Sequence, residues 1–192
     1  MKVLSQRKAL KRLNAIISNF KSEISDNYEG RTKSCLSCET KGACCVDAHF
    51  VNVHISRLEA VAINRAIEQL SLTEQDCVTR RIDDAVIRYG LNSDGDSYSQ
   101  TFACPLFEKG IGCLVHETGK PIPCIAHACY ESAADLPPDA LAERAERGID
   151  ALNTQTYGRH QSALPLPLAL QNISTRPSVA ADPRESSSAQ EI

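Results

Sequence analysis

Tryptophan is absent from this sequence, and all aromatic residues together make up only 5% of it. No stretch approaches the roughly 18 consecutive apolar residues that a membrane-spanning helix requires. The first eight residues, Met-Lys-Val-Leu-Ser-Gln-Arg-Lys, scatter charges where a secretory signal peptide needs an unbroken apolar segment. We therefore expect a cytoplasmic protein without a membrane partner, whose core needs a stabilising element besides aromatic side chains.

Short motifs of nucleotide-binding and hydrolytic enzymes are missing as well. There is no Gly-x-Gly-x-x-Gly, no phosphate-binding loop and no Gly-x-Ser-x-Gly. The 24 carboxylates are scattered, so none can be selected as a general acid or base without geometry. The sequence leaves catalysis undecided, and we lean towards a protein that is not an enzyme.

Cysteine, by contrast, is abundant, with nine in 192 residues. In a reducing compartment, clustered cysteines favour metal or redox chemistry over disulfides, and an odd number cannot all pair. Eight of them fall in two groups that are poor in regular structure, Cys35, Cys38, Cys44 and Cys45 in the first and Cys104, Cys113, Cys124 and Cys129 in the second. We predict that all eight are metal ligands, with thiol redox chemistry without metal as an alternative.

The spacing within the first group limits how the ligands are shared. Cys35 and Cys38 stand three residues apart, so their thiolates can converge on one ion or on one edge of a cluster. In regular backbone, adjacent side chains diverge, so Cys44 and Cys45 are expected to serve two centres or to leave one sulfur unliganded. Eight thiolates suit two tetrahedral zinc ions, or one four-iron cluster with four cysteines to spare.

Cys77 and the five histidines have expected roles that differ from those of the eight clustered cysteines. Cys77 falls in an apolar-periodic helix and is expected to be a small buried hydrophobic residue. His116 and His127 lie close to cysteines in the sequence, so either could complete a site or hydrogen-bond to a ligand sulfur. His49, His54 and His160 are interpreted as surface or packing residues.

Apolar residues at helical spacing predict four helices. They cover residues 3–25, residues 57–70 after a Ser56-x-x-Glu59 capping box, the stretch from a cap at 73–76 to Gly90, and 139–157 with Asp139 as the cap. We expect the second and third to form an antiparallel pair. A weak alternation over 50–55 predicts a short strand.

The fold class that follows is mainly α: a small single domain whose irregular cysteine-rich loops fold around metal. We divide the chain into an amphipathic, basic N-terminal helix (1–27), a cysteine-cluster metal-binding domain with a C-terminal helix (28–160) and a flexible tail (161–192). Residues 175–192 are expected to be disordered, because they carry too little apolar surface to offset the entropy of ordering.

The basic character is concentrated in the first 33 residues, which hold eight Lys and Arg against three acidic residues. The side chains of Arg7, Lys8, Lys11 and Arg12 fall on faces of the first helix other than its apolar stripe. We interpret them as a solvated helix surface, with nucleic-acid contact as an alternative. Nucleic acid is therefore not the partner that we expect.

The cysteine pattern also resembles a known family. The order Cys35-x2-Cys38-x5-Cys44-Cys45, an extended segment and a helix, then Phe102-Ala-Cys104-Pro-Leu, Cys113, Pro121 and Cys124-x4-Cys129 resembles the YkgJ-type cysteine cluster family over roughly residues 35–130. The resemblance implies a zinc- or iron-chelating domain in which all eight clustered cysteines match. The chain departs from the family by having His116 and Lys120-Pro121 where a tyrosine and Arg-Pro are usual.

These observations together favour a protein that binds zinc or an iron–sulfur cluster. The first alternative is an iron–sulfur enzyme or enzyme component for electron or group transfer, because a related cysteine cluster occurs in the longer bacterial flagellin lysine methylases, which look like iron–sulfur proteins. The second alternative is nucleic-acid contact through the N-terminal helix. The expected partner is the metal ion or cluster itself, and a protein partner is left open.

Overall fold

The computed structural model describes residues 3–32, 42–46, 52–93 and 97–174. Within them the fold is mainly helical, as predicted, with two short antiparallel sheets of two strands each. The helices are α1 (Gln6–Asn27), α2 (Arg57–Ile67), α3 (Leu72–Arg88), α4 (Ile122–Ala126), α5 (Asp139–Tyr157) and α6 (Leu166–Ser174). The strands are β1 (His54–Ile55), β2 (Phe107–Glu108), β3 (Gly112–Cys113) and β4 (Leu164–Pro165), with β1 paired to β4 and β2 to β3.

The two longest helices, α1 and α5, form where helical periodicity predicted them and pack against each other. The apolar positions of α1 predicted to share one face include Leu10, Leu13, Phe20 and Ile24, and these four are buried. Asp139 was predicted to cap α5, but its helix begins after Pro138 without a side-chain cap. The buried stripe fixes these helices, because apolar burial outweighs the small contribution of a single cap.

Capping boxes set the starts of α2 and α3. At α2 the predicted box is present: the Ser56 N–H donates to Glu59 Oε2 at 2.8 Å, and the Glu59 N–H donates to Ser56 Oγ at 3.3 Å. At α3 the predicted cap at 73–76 is wrong, because Ser71 forms the same reciprocal pair with Glu74. Glu74 is thus the third helical residue of its box, and α3 begins at Leu72.

Two hydrophobic cores hold the helices together. We call the first the α1–α5 core; its buried members are Ala9, Leu10, Leu13, Phe20, Ile24, Leu58, Ile122, Ala145, Ile149 and Leu152. The second, the α3–α6 core, includes Ile63, Ile67, Val78, Ile82, Phe102, Leu106, Val115, Leu166 and Leu170. Because α2 contributes Leu58 to the first and Ile63 to the second, it joins the two cores.

Part of the predicted flexible tail is wrong. Residues 164–174 form β4 and α6, and Leu166 and Leu170 are each only 1% exposed in the α3–α6 core. Pro167 lies in the first turn of α6, where a missing N–H costs nothing, so it does not interrupt the helix. Residues 175–192, predicted to be disordered, lie outside the described residues.

α6 also changes how α2 and α3 associate. Both helices pack against α6, and they make little direct contact with each other, so the predicted α2–α3 pair is replaced by a three-helix arrangement. The predicted strand at 50–55 is confirmed at His54–Ile55, while residues 47–51 lie outside the described part of the chain. No helix in that described part has both the length and the apolar character needed to cross a membrane.

Candidate metal centre

The two cysteine groups meet at a backbone hydrogen bond. The Cys104 N–H donates to the Cys45 carbonyl oxygen at 2.9 Å, joining positions almost sixty residues apart in the sequence. Cys44 and Cys45 lie in a single 3-10 turn, Ala43–Cys45, that follows Gly42. The described part of the first group is therefore fixed against the start of the second.

Glycine at position 42 allows this contact. Its φ is +82°, in the left-handed region that favours glycine, and the ring of Phe107 lies directly over it. A Cβ at position 42 would stand 1.8 Å from Phe107 Cζ. The turn that carries Cys44 and Cys45 can therefore pack under the hairpin of the second group only without a side chain at this position.

A hairpin and a short helix present the second group. Cys113 in β3 lies opposite Phe107 in β2, and Cys124 lies within α4. The hairpin is tied to α3 by Arg81, whose Nη1 donates to the Phe107 carbonyl at 2.7 Å and whose Nη2 lies 3.6 Å from Glu108 Oε2. The segment is anchored in the two cores by four buried side chains, those of Phe102, Leu106, Val115 and Ile122. It is therefore held in place although Gly110 and Gly112 disfavour a long helix or strand there.

Five thiols lie close enough for their charges to interact, and we call them the thiol cluster: Cys44, Cys45, Cys104, Cys113 and Cys124. The pKa of each of three thiols, Cys45, Cys104 and Cys124, is raised to about 12. Burial is the main cause, and the neighbouring thiols contribute to the same shift. Burial also raises the pKa of Cys113. Without a cation, the raised pKa values keep the thiols of Cys45, Cys104, Cys113 and Cys124 neutral at pH 7.

Such a donor set fits a soft metal. Several thiolates held together repel one another unless a cation offsets their charge, and a bound metal inverts this pKa pattern by deprotonating its thiol ligands outright. Among the described residues, however, no three Cys, His, Asp or Glu side chains are arranged to hold one metal ion. The five thiols are neighbours rather than a closed coordination sphere, and Cys35 and Cys38 lie outside the described residues.

The adjacent pair lies on a 3-10 turn rather than on extended or α-helical backbone. Burial, and after it the neighbouring Cys44 thiol, raises the pKa of Cys45. The assignment of the two thiols to two centres, or of one sulfur as unliganded, stays a prediction.

The other predicted or alternative ligands lie elsewhere. Cys129 and His127 are exposed and line a cavity beside α1, together with His116, whose Nε2 lies 3.8 Å from Glu117 Oε1. The described structure thus brings five of the eight predicted cysteines together and leaves Cys129 apart from their charge interactions. Its role as a ligand stays a prediction.

The remaining histidines and Cys77 occupy surface or packing positions. His54 stacks on Tyr98 with ring centroids 4.0 Å apart, His160 Nε2 lies 3.5 Å from Asp150 Oδ1, and His49 falls outside the described residues. Cys77 was predicted to be buried, but it is only partly buried and accepts a hydrogen bond from Arg80 Nη2 at 3.4 Å. The buried face of α3 is centred on Val78 and Ile82 instead, because Cys77 is rotated out of that stripe.

Sequence reasoning missed two residues that shape the site. Arg81 fixes the hairpin, yet a basic residue on a helix gives no sign that it will reach a carbonyl 26 positions away. Lys120 lies near the thiols, where its positive charge acts to lower the pKa of Cys113 and Cys124 against the larger effect of burial. The signal for Lys120 in the sequence was its position directly before Pro121, where the YkgJ-type family that this sequence resembles usually has arginine.

No protein-family model, curated protein or solved structure is significantly similar to this chain. Membership of the YkgJ-type family therefore stays a prediction that rests on the spacing of the cysteines.

Proposed function

We propose that this protein binds zinc or an iron–sulfur cluster through its clustered cysteines, in the manner that the YkgJ-type resemblance implies. The observation that carries the proposal is the meeting of the two cysteine groups at the hydrogen bond from Cys104 to Cys45. Five soft donors around this contact match the ligand preference of both metals. Cys35, Cys38 and Cys129 complete the proposed ligand set from the sequence pattern alone.

Burial supports the same proposal. Thiols whose pKa is about 12 are costly to ionise in the free protein, so their conversion to thiolates requires a strong cationic partner. Binding then releases protons and ties the loops to one another, which couples metal binding to folding of the cysteine segment. A centre of this kind suits a reducing compartment, and we propose a cytoplasmic location.

Elemental analysis of anaerobically purified protein tests the proposal. Stoichiometric zinc in colourless protein supports a structural zinc site, whereas iron and sulfide in brown protein, with a broad absorbance band near about 400 nm, support a cluster and favour the enzyme-component alternative. Protein that folds normally but contains neither metal in stoichiometric amount contradicts the proposal.

A matched pair of variants shows whether the thiol cluster holds the metal. Cys124→Ser removes a buried donor of the cluster, and we expect loss of most metal and a lower unfolding temperature. Cys77→Ser, on α3 and outside the thiol cluster, is the control and should keep both, because Cys77 is partly buried like Cys124. Equal metal content and equal stability in the two variants would show that the cluster is not the site.

A further inference from the structure

A cavity of about 610 Å³ lies between α1 and the segment 116–130, and of the proposed metal ligands in the described part of the chain only Cys129 lines it. Its volume falls in the range of pockets that bind small molecules, roughly 300–1,000 Å³. Ile17 and Ile24 of α1 and Ile125 of α4 line one part of it. Most of its other lining residues are polar, so the cavity offers an apolar wall together with hydrogen-bonding side chains.

The carboxylates that line the cavity already have partners. Glu117 Oε2 accepts from Lys21 Nζ at 2.9 Å, and Glu29 Oε2 accepts from Ser25 Oγ at 2.7 Å. The hydrogen bond from Lys21, and after it the charge of Lys21, lowers the pKa of Glu117, so this carboxylate stays ionised and committed to its ion pair. Acceptors on the cavity wall are therefore largely used.

Two donors on the wall have no such partner among the described residues. Within the described residues, the Lys120 ammonium makes no hydrogen bond and no ion pair within 4.0 Å, although its charge reaches Glu117. The Tyr130 hydroxyl is buried and likewise lacks a hydrogen-bond partner in this part of the chain. A buried polar group without a partner is rare and costly, so its presence points to a missing acceptor.

We propose that this cavity binds a small organic carboxylate, whose apolar body lies along the three isoleucines and whose oxygens accept hydrogen bonds from Lys120 and Tyr130. A carboxylate satisfies both donors with charge-assisted bonds, which are stronger than neutral ones. A neutral amide of the same shape fills the same space but forms no charge-assisted bond with Lys120. Recognition of charge, rather than of shape alone, therefore distinguishes the ligand class.

The inference does not depend on metal binding, but it places the ligand beside the thiol cluster. The charge of Lys120 also acts on Cys113 and Cys124, and Cys129 lines the cavity itself. Lys120 is thus shared between the two regions. Metal content must be measured for every variant at this position, so that a loss of metal is not mistaken for a loss of carboxylate binding.

The test uses benzoate and its neutral isostere benzamide, titrated into the full-length protein as purified and followed by backbone amide NMR shifts. We expect shifts at residues lining the cavity, with benzoate binding at least about tenfold more tightly than benzamide, as a bond to a charged group warrants. Equal affinities, or no shifts with either compound up to about 20 mM, would overturn the proposal.

Three variants locate the interaction. Lys120→Met should weaken benzoate binding about tenfold or more and leave benzamide unchanged, and Tyr130→Phe should weaken benzoate binding about threefold to tenfold. Lys11→Met is the control, because Lys11 is exposed on α1 and does not line the cavity. If Lys120→Met alters folding or metal content, Tyr130→Phe decides: parental benzoate affinity in a folded Tyr130→Phe protein overturns the proposal.

Discussion

The α1–α5 core and the segment that carries the thiol cluster are stabilised in different ways. In the core, long helices bury apolar stripes against one another, and Leu13 and Ala9 are fully buried. The cysteine segment, residues 102–129, has only short strands and the five-residue α4, and it sends Phe102, Leu106, Val115 and Ile122 into cores built by other elements. Hydrophobic burial holds the helices, whereas the segment depends on contacts with cores that other elements build and, under the proposed function, on metal bound by its thiols.

The largest effect is expected where the two regions depend on each other. Phe102 is fully buried in the α3–α6 core, two residues before Cys104. Phe102→Ala should reduce the free energy of unfolding by about 3–5 kcal/mol and should also reduce metal content, because it releases the start of the segment. Chemical denaturation and elemental analysis of the same samples measure both quantities. Full metal content in a destabilised variant would show that metal binding by the segment does not depend on its contacts with the core.

Leu13→Ala tests the difference between the two regions by weakening the α1–α5 core instead of the cysteine segment. Leu13 is fully buried in the α1–α5 core and does not contact the thiol cluster, so we expect a loss of about 2–5 kcal/mol in the free energy of unfolding. Metal content of the folded variant should stay at the parental level. A fall in metal content equal to that of Phe102→Ala would mean that the two regions are one cooperative unit.

Gly42 and Gly90 provide a matched pair of glycines with positive φ, +82° and +60°. Gly90→Ala meets no atom within 4 Å and should cost only the left-handed backbone penalty, about 1–2 kcal/mol. Gly42→Ala must also displace the ring of Phe107, so it should cost about 2–4 kcal/mol in all and weaken metal retention. Equal unfolding midpoints for the two variants would show that packing of Phe107 over the turn is unimportant.

The smallest effect concerns the capping boxes of the helical region. Burial raises the pKa of Glu59 above its ordinary value of 4.5, against the lowering effect of its hydrogen bonds with Ser56. The stability that Glu59 contributes is therefore complete below pH 4.5 and is lost as the pH rises through its folded pKa. Glutamine does not ionise, so the Glu59→Gln variant does not lose stability in this way as the pH rises. In denaturation curves, its free energy of unfolding relative to the parent should therefore increase from pH 4.5 to pH 7.

Glu74→Gln is the control for that pH dependence, because the sign is opposite. Hydrogen bonds from Ser71 lower the pKa of the exposed Glu74, so its contribution is present above pH 4.5 and is lost as the pH falls through its folded pKa. Relative to the parent, Glu74→Gln should therefore lose stability as the pH rises. The same slope for both variants would contradict the difference in burial between the two boxes.

Periodicity was enough to predict the helices whose apolar stripe is continuous. α1, α2 and α5 were placed within a few residues because burial of one face decides them. α6 was missed because it is short, has Pro167 in its first turn and packs on α2 and α3, which are distant in sequence. Cys77 was misplaced because a shift of one residue on a helix rotates a side chain by about 100°.

The candidate site could be predicted only in part. Sequence spacing identified the cysteines as a group, and the structure brings five of them together, but the pairing of Cys104 with Cys45 depends on the turn at Gly42 and on the ring of Phe107. The contact of Arg81 with the hairpin likewise depends on tertiary structure. Such contacts join positions that no local pattern connects.

Hydrogen exchange, compared between protein as purified anaerobically and protein stripped by a chelator under reducing conditions, tests the central claim most directly. We expect stripping to raise amide exchange by at least about tenfold across residues 102–129 while α1 and α5 keep their protection, because metal binding orders the cysteine segment and hydrophobic burial holds the helices. Unchanged protection of residues 102–129 after stripping would contradict the account.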